Sequence, residues 1–377
     1  MKAAIIHHNI NSRGGGERVA IHTIELLNDM GFDIELVTSQ KPDLNAIYKA
    51  YGRKIKINKI VSLFPFKFGY FGIYQRLLTI IPAIRVRNVD ILINTHGDVL
   101  PYYLPTGAPY IAYVHFPVLS LLMKEYPSKY QNSFFWRTYF KPYRFLTKKL
   151  MEFGMKKGVI LTNSNFSKQA IKKLYPVVEP IIVYPPVDIK SFSKIVESTR
   201  REDKVVVISR FTPEKKLENA IRIMKMLPDN IKLEIIGSLI PSNNAYYNNL
   251  KEIIVKENLE TRIVLKANIE FDELIDVMAT SKVYLHTMFG EHFGISIVEA
   301  MSAGLITIVP NYGGQTEHVP PHYQYEKLEE AAKIITQAMN ATQNQRNELN
   351  KIAQRFSEDR FKQEMQRIIT TAMKKEV

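Results

Sequence analysis

A pair of doubly wound parallel α/β sheets is the fold this chain predicts, and three observations carry the expectation. Short apolar runs alternate with helical patterns along all 377 residues. The runs fall into two sets of similar design, with no short-period repeat inside either. Between the sets stands VYPPVDIKSF (183–192), whose adjacent Pro185 and Pro186 make a stiff, extended junction.

The first set places strands at AAIIHH, DIELVTS, ILINT, YIAYVHF and VILTNS. The second places them at KVVVISR, KLEIIGS, RIVLKA, VYLHTM and LITIVP. Helical spacing fills the gaps, for example over Glu17–Met30 and Leu217–Leu227. The expected domains are therefore 1–186 and 187–356, with a C-terminal helix at about 357–377 packing back on the first. In open parallel sheets ligands bind beyond the carboxyl ends of the strands, and every motif below follows such an end.

Composition sets further bounds. With 46% hydrophobic residues and both charge signs present, the chain can bury ordinary cores. It has no cysteine, which excludes disulfides, zinc–thiolate sites and thiol nucleophiles. The longest apolar candidate, LLTIIPAI (77–84), is broken by Pro82 and falls well short of the roughly 20 residues of a spanning helix. The apolar part of MKAAIIHHNINSRGGGE is too short for a signal peptide and reads as a first strand, so a cytoplasmic protein is expected. The net charge of +14 is uneven: residues 1–188 carry 25 Lys and Arg against 12 Asp and Glu, whereas 189–377 carry 26 against 25. The first half thus points to an anionic partner.

The most informative stretch is FGEHFGISIVEAMSAG (289–304). Helix formers around Glu299 place it within a helix, and Glu291 falls in the turn before it, kept uncluttered by Gly290 and Gly294. Backbone N–H groups and the helix dipole at such a junction attract an anion. The two carboxylates beside it would accept hydrogen bonds from sugar hydroxyls, and a nucleotide sugar combines both needs. The plainer alternative is a capping acid and a surface acid. Against it stand the apolar filling of Phe293, Ile295, Ile297 and Val298, the small run Ser302-Ala303-Gly304, and the following strand.

Three other loops add chemistry. Gly14-Gly15-Gly16 opens the first helix and lets a ligand approach the backbone. It is read as a loop closing over donor phosphates, the alternative being a plain tight turn, since it lacks the spacing of a dinucleotide fingerprint. His115, in YVHFP, sits at a strand end that Pro117 terminates, which would leave its imidazole at the rim of a cleft. His7, His8 and His96 share such positions, without metal-ligand spacing. Arg210 and Lys215, in SRFTPEKK, offer a planar guanidinium and a point charge that together can neutralise a diphosphate without a metal ion.

Two basic aromatic segments, 64–87 and 119–157, are read as membrane-surface contacts. The second holds nine Lys and Arg against two Glu, interleaved with Tyr126, Tyr130, Phe134, Phe135, Trp136, Tyr139, Phe140, Tyr143, Phe145 and Phe153. An ordinary helix pair with an aromatic core side would give the same composition. Nucleic acid also suits such residues, but the doubly wound frame and the donor motif argue against it.

Taken together, GGGERV (14–19), YVHFP (113–117), SKYQNSFFW (128–136), TNSNFSK (162–168), VYPPVD (183–188), SRFTPEK (209–215) and GEHFGISIVEAMSAG (290–304) resemble the family 4 retaining glycosyltransferases over nearly the whole chain. Within them the resemblance is strongest to the α-1,2-mannosyltransferase family of dolichol-linked oligosaccharide synthesis. That resemblance implies a GT-B fold, two Rossmann-like domains facing across a cleft, with the first binding acceptor and the second the nucleotide sugar. It implies that Arg210 and Lys215 bind the diphosphate, Glu299 the ribose and Glu291 the transferred hexose. His115 would contact the hexose or the phosphate side of the reaction centre. Ser164 and Asn165 would line the cleft, and Gly237 and Ser238 would lie near the base. Gly15, Gly16, Phe293, Gly294 and Ile295 complete the implied donor contacts. The implied donor is GDP-mannose, or a UDP-sugar, with no prosthetic group and no metal. The implied acceptor is a lipid-linked oligosaccharide or related glycan.

The chain departs from that pattern in lacking the N-terminal membrane helix of eukaryotic relatives, so a peripheral attachment on the cytoplasmic face is expected. It departs again at PPHYQY (320–325), where a glycine-containing segment is frequent, and at Leu305, where proline is. The alternatives are a UDP-sugar transferase for cell-surface polysaccharide, a sugar epimerase of the same fold, and a non-enzymatic basic protein binding membrane or nucleic acid.

Overall fold

The computed structural model describes residues 1–11, 14–64, 74–97, 107–123 and 134–374. They form two compact units, Met1–Pro186 with Glu358–Val377, and Val187–Ser357. Each is built on one parallel sheet. Among the described residues no helix is long and apolar enough to cross a membrane.

The first sheet comprises β1 (Lys2–Ile6), β2 (Asp33–Gln40), β3 (Lys59–Phe64), β4 (Ile91–Asn94), β5 (Tyr110–Val114), β6 (Val159–Thr162) and β7 (Ile181–Ile182), in the order β3-β2-β1-β4-β5-β6-β7. Every pairing is parallel. The central strands are continuous apolar runs because helices cover both faces. Along β1, Ala3 and Ile5 enter one core cluster while Ala4 and Ile6 enter the other, the alternation a pleated strand imposes. The helix Glu358–Lys374 contributes Phe361, Met365, Ile368, Ile369 and Ala372 to the first of those clusters. Polar contacts fasten it there: Arg53 bridges Glu358 and Glu25, His22 lies 3.3 Å from Glu358, and Lys362 lies 2.9 Å from Glu25.

The second sheet comprises β8 (Glu202–Ile208), β9 (Lys232–Gly237), β10 (Ile263–Ala267), β11 (Ser281–Leu285), β12 (Ile306–Pro310) and β13 (Gln324–Tyr325), in the order β10-β9-β8-β11-β12-β13, again all parallel. The strands expected from the sequence are all present. β3, β7 and β13 are additional, and each is the end strand of its sheet or next to solvent there. They are short or half-exposed and so lack the apolar run that marks a buried strand.

Two arginines pin the end of the helix Ile295–Ser302. Arg201 donates to the carbonyls of Ile195, Val196, Met278, Ser281 and Ala303 at 2.6 to 3.4 Å. Arg346 donates to those of Lys282 and Gly304. Burial, with the charge of Arg346 nearby, pushes the Arg201 guanidinium down to about 10, still charged at neutral pH. Replacing Arg201 by Met would leave these carbonyls without their donor. We expect Arg201→Met to cost about 3 kcal/mol or more in urea unfolding, with Arg201→Lys recovering only part of it because an ammonium cannot span five acceptors.

Candidate functional site

In both sheets the order reverses beside the first strand, at β1/β4 in one unit and β8/β11 in the other. Such reversals open a crevice at the carboxyl ends, and in each unit polar side chains collect there.

In the second unit β8 leads into Ser209, Arg210 and a single 3-10 turn, Pro213–Lys215. β11 leads into His286, Thr287 and, after a glycine turn, Glu291. Lys215 Nζ lies 2.6 Å from Glu291 Oε2, with each side chain about one-seventh exposed, 14% and 15%. Thr287 Oγ1 donates to the Lys215 carbonyl at 2.6 Å, and the His292 amide donates to Glu291 Oε1 at 3.0 Å. The Glu291 backbone is itself fixed, its carbonyl accepting from Gly314 N at 2.7 Å. That approach requires Gly313, since a Cβ there would stand 2.7 Å from the Glu291 carbonyl oxygen. Gly290 and Gly294 both take positive φ, 79° and 89°, and Gly294 caps the helix Ile295–Ser302. Glu299 sits in that helix and is buried, so both glutamates occupy the local structure their sequence predicts.

The electrostatics favour one charge state. Burial pushes the Glu291 carboxyl up, but Lys215 above all, with His286 and His292, holds it far below the usual carboxylate range. Burial and the Lys215 charge push His286 and His292 down to about 4, against the attraction of Glu291. His318, packed between Phe293 and Phe356, is pushed down to about 3 by burial first and Arg355 second. At neutral pH Glu291 is therefore a carboxylate facing Lys215 beside neutral imidazoles. The ammonium has three donors and Glu291 engages it with one oxygen, so a phosphate can join the same Nζ. Tyr284, with its hydroxyl 2.9 Å from Ser296 Oγ, is kept protonated by burial and by the charges of Glu291 and Glu299.

The other expected residues take different positions. Arg210 is 60% exposed and lies 3.6 Å from Glu214. Gly237 ends β9, where a Cβ would meet the Ser209 carbonyl oxygen at 1.6 Å, and the Ser238 carbonyl accepts from Phe211 N. Phe293 is buried, its ring against His318 and Phe356, so a ligand would meet its backbone. Ile295 is the first residue of the helix that Gly294 caps.

In the first unit Gly15 and Gly16 begin the helix Gly15–Asp29, and His115 follows β5. A Cβ on Gly16 or Gly97 would come within 3.3 or 3.2 Å of the His115 ring. His115 Nε2 is 3.1 Å from the Thr95 carbonyl, which can only accept, so Nε2 carries the proton and Nδ1 is the acceptor of the neutral ring. Thr95 Oγ1 is 3.0 Å from His7 Nδ1, and His7 Nε2 is 3.7 Å from Glu17. Ser167 Oγ donates to the His115 carbonyl, and Ser164 caps the helix Asn165–Leu174 by accepting from Ser167 N. Residues Ser128 to Ser133 of the SKYQNSFFW segment lie outside the described residues. Sequence reasoning assigned no role to His286, His292, Thr287, Tyr284 or Thr95. The signal for the first three was the polar run HTMFGEH directly after an apolar strand.

Two family models match the chain: Glycosyltransferase Family 4 over residues 13–191 and Glycosyl transferases group 1 over residues 188–356. The chain is 28% identical over 310 residues to the human protein named GDP-Man:Man(3)GlcNAc(2)-PP-Dol alpha-1,2-mannosyltransferase, a match that takes in 72% of this chain and 63% of that one. A mouse protein of the same name is 25% identical, over 95% of this chain and 84% of its own length. Among solved structures, Anabaena HepE with UDP and glucose aligns over 98% of this chain and 99% of its own at 18% identity and a TM-score of 0.73. Sucrose-phosphate synthase from Thermosynechococcus elongatus aligns over 98% and 99% at 12% identity and a TM-score of 0.77. These structural likenesses give the fold, GT-B.

The buried imidazoles set a pH dependence. A base whose folded pKa is depressed lets the unfolded chain bind more protons between the two values, so stability falls as pH drops. For His286 and His292 that window runs from 6.5 to about 4. Glu291 extends the loss below 4.5, where its carboxyl would protonate in the unfolded chain alone. Melting temperature should fall by several degrees from pH 6.5 to 4, and His286→Gln should flatten the curve in that window.

Proposed function

We propose that this chain, which belongs to the family 4 glycosyltransferases, transfers mannose from GDP-mannose to a lipid-linked oligosaccharide with retention of configuration. The observation that carries the reading is the buried Lys215–Glu291 pair set before a helix start, with Glu299 in that helix. A cation held there suits a diphosphate, and carboxylates suit the hydroxyls of the two sugars flanking it. The shared name of the human and mouse relatives supports the nucleotide, the hexose and the acceptor class.

In this reading Lys215 and Arg210 take the diphosphate, Glu291 the hexose and Glu299 the ribose. Gly237, Ser238 and the backbone of Phe293, Gly294 and Ile295 complete the donor contacts. Gly15 and Gly16 close over the donor phosphates, His115 contacts the hexose or the phosphate side of the reaction centre, and Ser164 and Asn165 lie beside it. The bond between the hexose anomeric carbon and the diphosphate oxygen breaks as the acceptor oxygen bonds that carbon on the same face. The acceptor's proton passes to the departing phosphate, whose charge Lys215 offsets. No carboxylate attacks the sugar, unlike a retaining hydrolase; Glu291 is already committed as the counter-ion of Lys215. An acceptor carried on lipid would bring the protein to the cytoplasmic face of a membrane as a peripheral enzyme.

Lys215→Ala and Glu291→Ala should each lower kcat/KM at least about a hundredfold, while melting curves remain cooperative. GDP at about a hundred times its Kd should stabilise the protein by roughly 2.7 kcal/mol, and Lys215→Ala should remove most of that gain. Turnover of UDP-sugars in place of GDP-mannose in a donor screen would reject the donor assignment, and full activity in both variants would reject the site.

A further inference from the structure

The helix Phe134–Lys157 has two faces, and side-chain exposure separates them. Phe140, Tyr143, Thr147 and Met151, spaced three and four apart, are buried in the first unit. The opposite face carries Phe134 at 79% exposure, Phe145 at 84%, Phe135 at 66% and Leu146 at 54%. Phe134 and Phe145, like Phe135 and Leu146, stand eleven residues apart, three helical turns along one side. Lys141 and Lys148 share that side, Arg137 and Arg144 flank it, and all four are exposed. The helix holds seven Lys and Arg against one acid, Glu152.

Single exposed apolar residues are ordinary on a protein surface; a run of aromatics nearly as exposed as in an unfolded chain marks a contact. The cations choose the partner. Rings and a leucine that can enter the headgroup boundary, bordered by side chains long enough to reach lipid phosphates, form an interfacial helix. Single-stranded nucleic acid is held in a groove that follows its backbone, and these side chains stand on a convex helix face instead.

We propose that the outer face of Phe134–Lys157 docks on an anionic phospholipid bilayer, with Phe134, Phe135, Phe145 and Leu146 inserted and Arg137, Lys141, Arg144 and Lys148 on the headgroups. The biological purpose rests on the reading above, since a lipid-linked acceptor must be met at its membrane; the surface itself is tested without any acceptor.

The full chain is floated with vesicles of phosphatidylcholine alone and of phosphatidylcholine with phosphatidylglycerol. Binding should be about tenfold or more tighter to the anionic vesicles and should weaken with salt. Phe134→Glu with Phe145→Glu, and separately Arg144→Glu with Lys148→Glu, should each lower it by roughly tenfold or more. All these side chains are exposed, so melting temperature and GDP stabilisation should stay at wild-type values. The proposal is overturned by variants that bind as tightly as wild type, by equal binding to neutral vesicles, or by a self-associated species that Phe145→Glu dissolves. Displacement from vesicles by a single-stranded oligonucleotide would overturn it too. A donor screen with soluble acceptor runs alongside: loss of transfer with vesicle binding intact would reject the function and spare the surface.

Discussion

The Lys215–Glu291 ion pair joins the loop after β8 to the loop after β11, 76 residues apart in sequence and on opposite sides of the sheet's reversal. Burying two charges costs more desolvation than a lone contact returns unless further bonds support it. Here the support is explicit: the His292 amide on the carboxylate, the Thr287 hydroxyl on the Lys215 carbonyl, and the Gly314 amide on the Glu291 carbonyl. The neighbouring histidines remain neutral at physiological pH, so they add no competing positive charge. The ammonium is thus already desolvated and aimed before an anion arrives. Preorganised charge of this kind stabilises charge that develops in a reaction better than a mobile surface lysine does.

The same topology equips the two units differently. Both sheets deliver loops at the carboxyl ends of the strands on either side of the reversal, but the first unit lines them with imidazoles, glycines and hydroxyls, without a buried ammonium–carboxylate pair at that place among the described residues. A run of polar groups there leads from Glu17 through His7 and Thr95 to His115, whose Nε2 faces the Thr95 carbonyl. The second unit thus presents a buried ion pair at its reversal, and the first presents hydrogen-bonding groups.

What the sequence revealed follows the range of the forces involved. Central strands announce themselves as apolar runs because both faces are buried, whereas β3, with Lys59 exposed at its start, and the two-residue β7 and β13 do not. The turn and helix holding Glu291 and Glu299 were legible because their glycines and helix formers act within a few residues. The partner of Lys215 was not, because only the sheet brings residue 291 to residue 215. Sequence offered Arg210 and Lys215 as one basic loop; the structure adds that Arg210 is exposed, 3.6 Å from Glu214, whereas Lys215 is buried against Glu291. The imidazoles around Glu291 were invisible as a group for the same reason: His286 and His292 flank it in sequence, but His318 joins them through the fold.

The aromatic, basic segment 119–157 shows why composition alone leaves two readings standing. An aromatic core side and an aromatic outer side predict the same count of rings, and the helix Phe134–Lys157 has both: Phe140 and Tyr143 are buried while Phe134, Phe135 and Phe145 are exposed. Tyr126 and Tyr130, and Phe66, Phe68, Tyr70 and Phe71 of segment 64–87, lie outside the described residues. Spacing decides the rest. With the core anchored by residues 140, 143, 147 and 151, a helix of 3.6 residues per turn must turn 134, 145 and 141 outward. A chain selected only for packing gains nothing from phenylalanine there, since each exposed ring adds hydration cost and association risk. Cations on the same side do not remove that cost; under the docking proposed above, an anionic headgroup boundary is where it would be recovered.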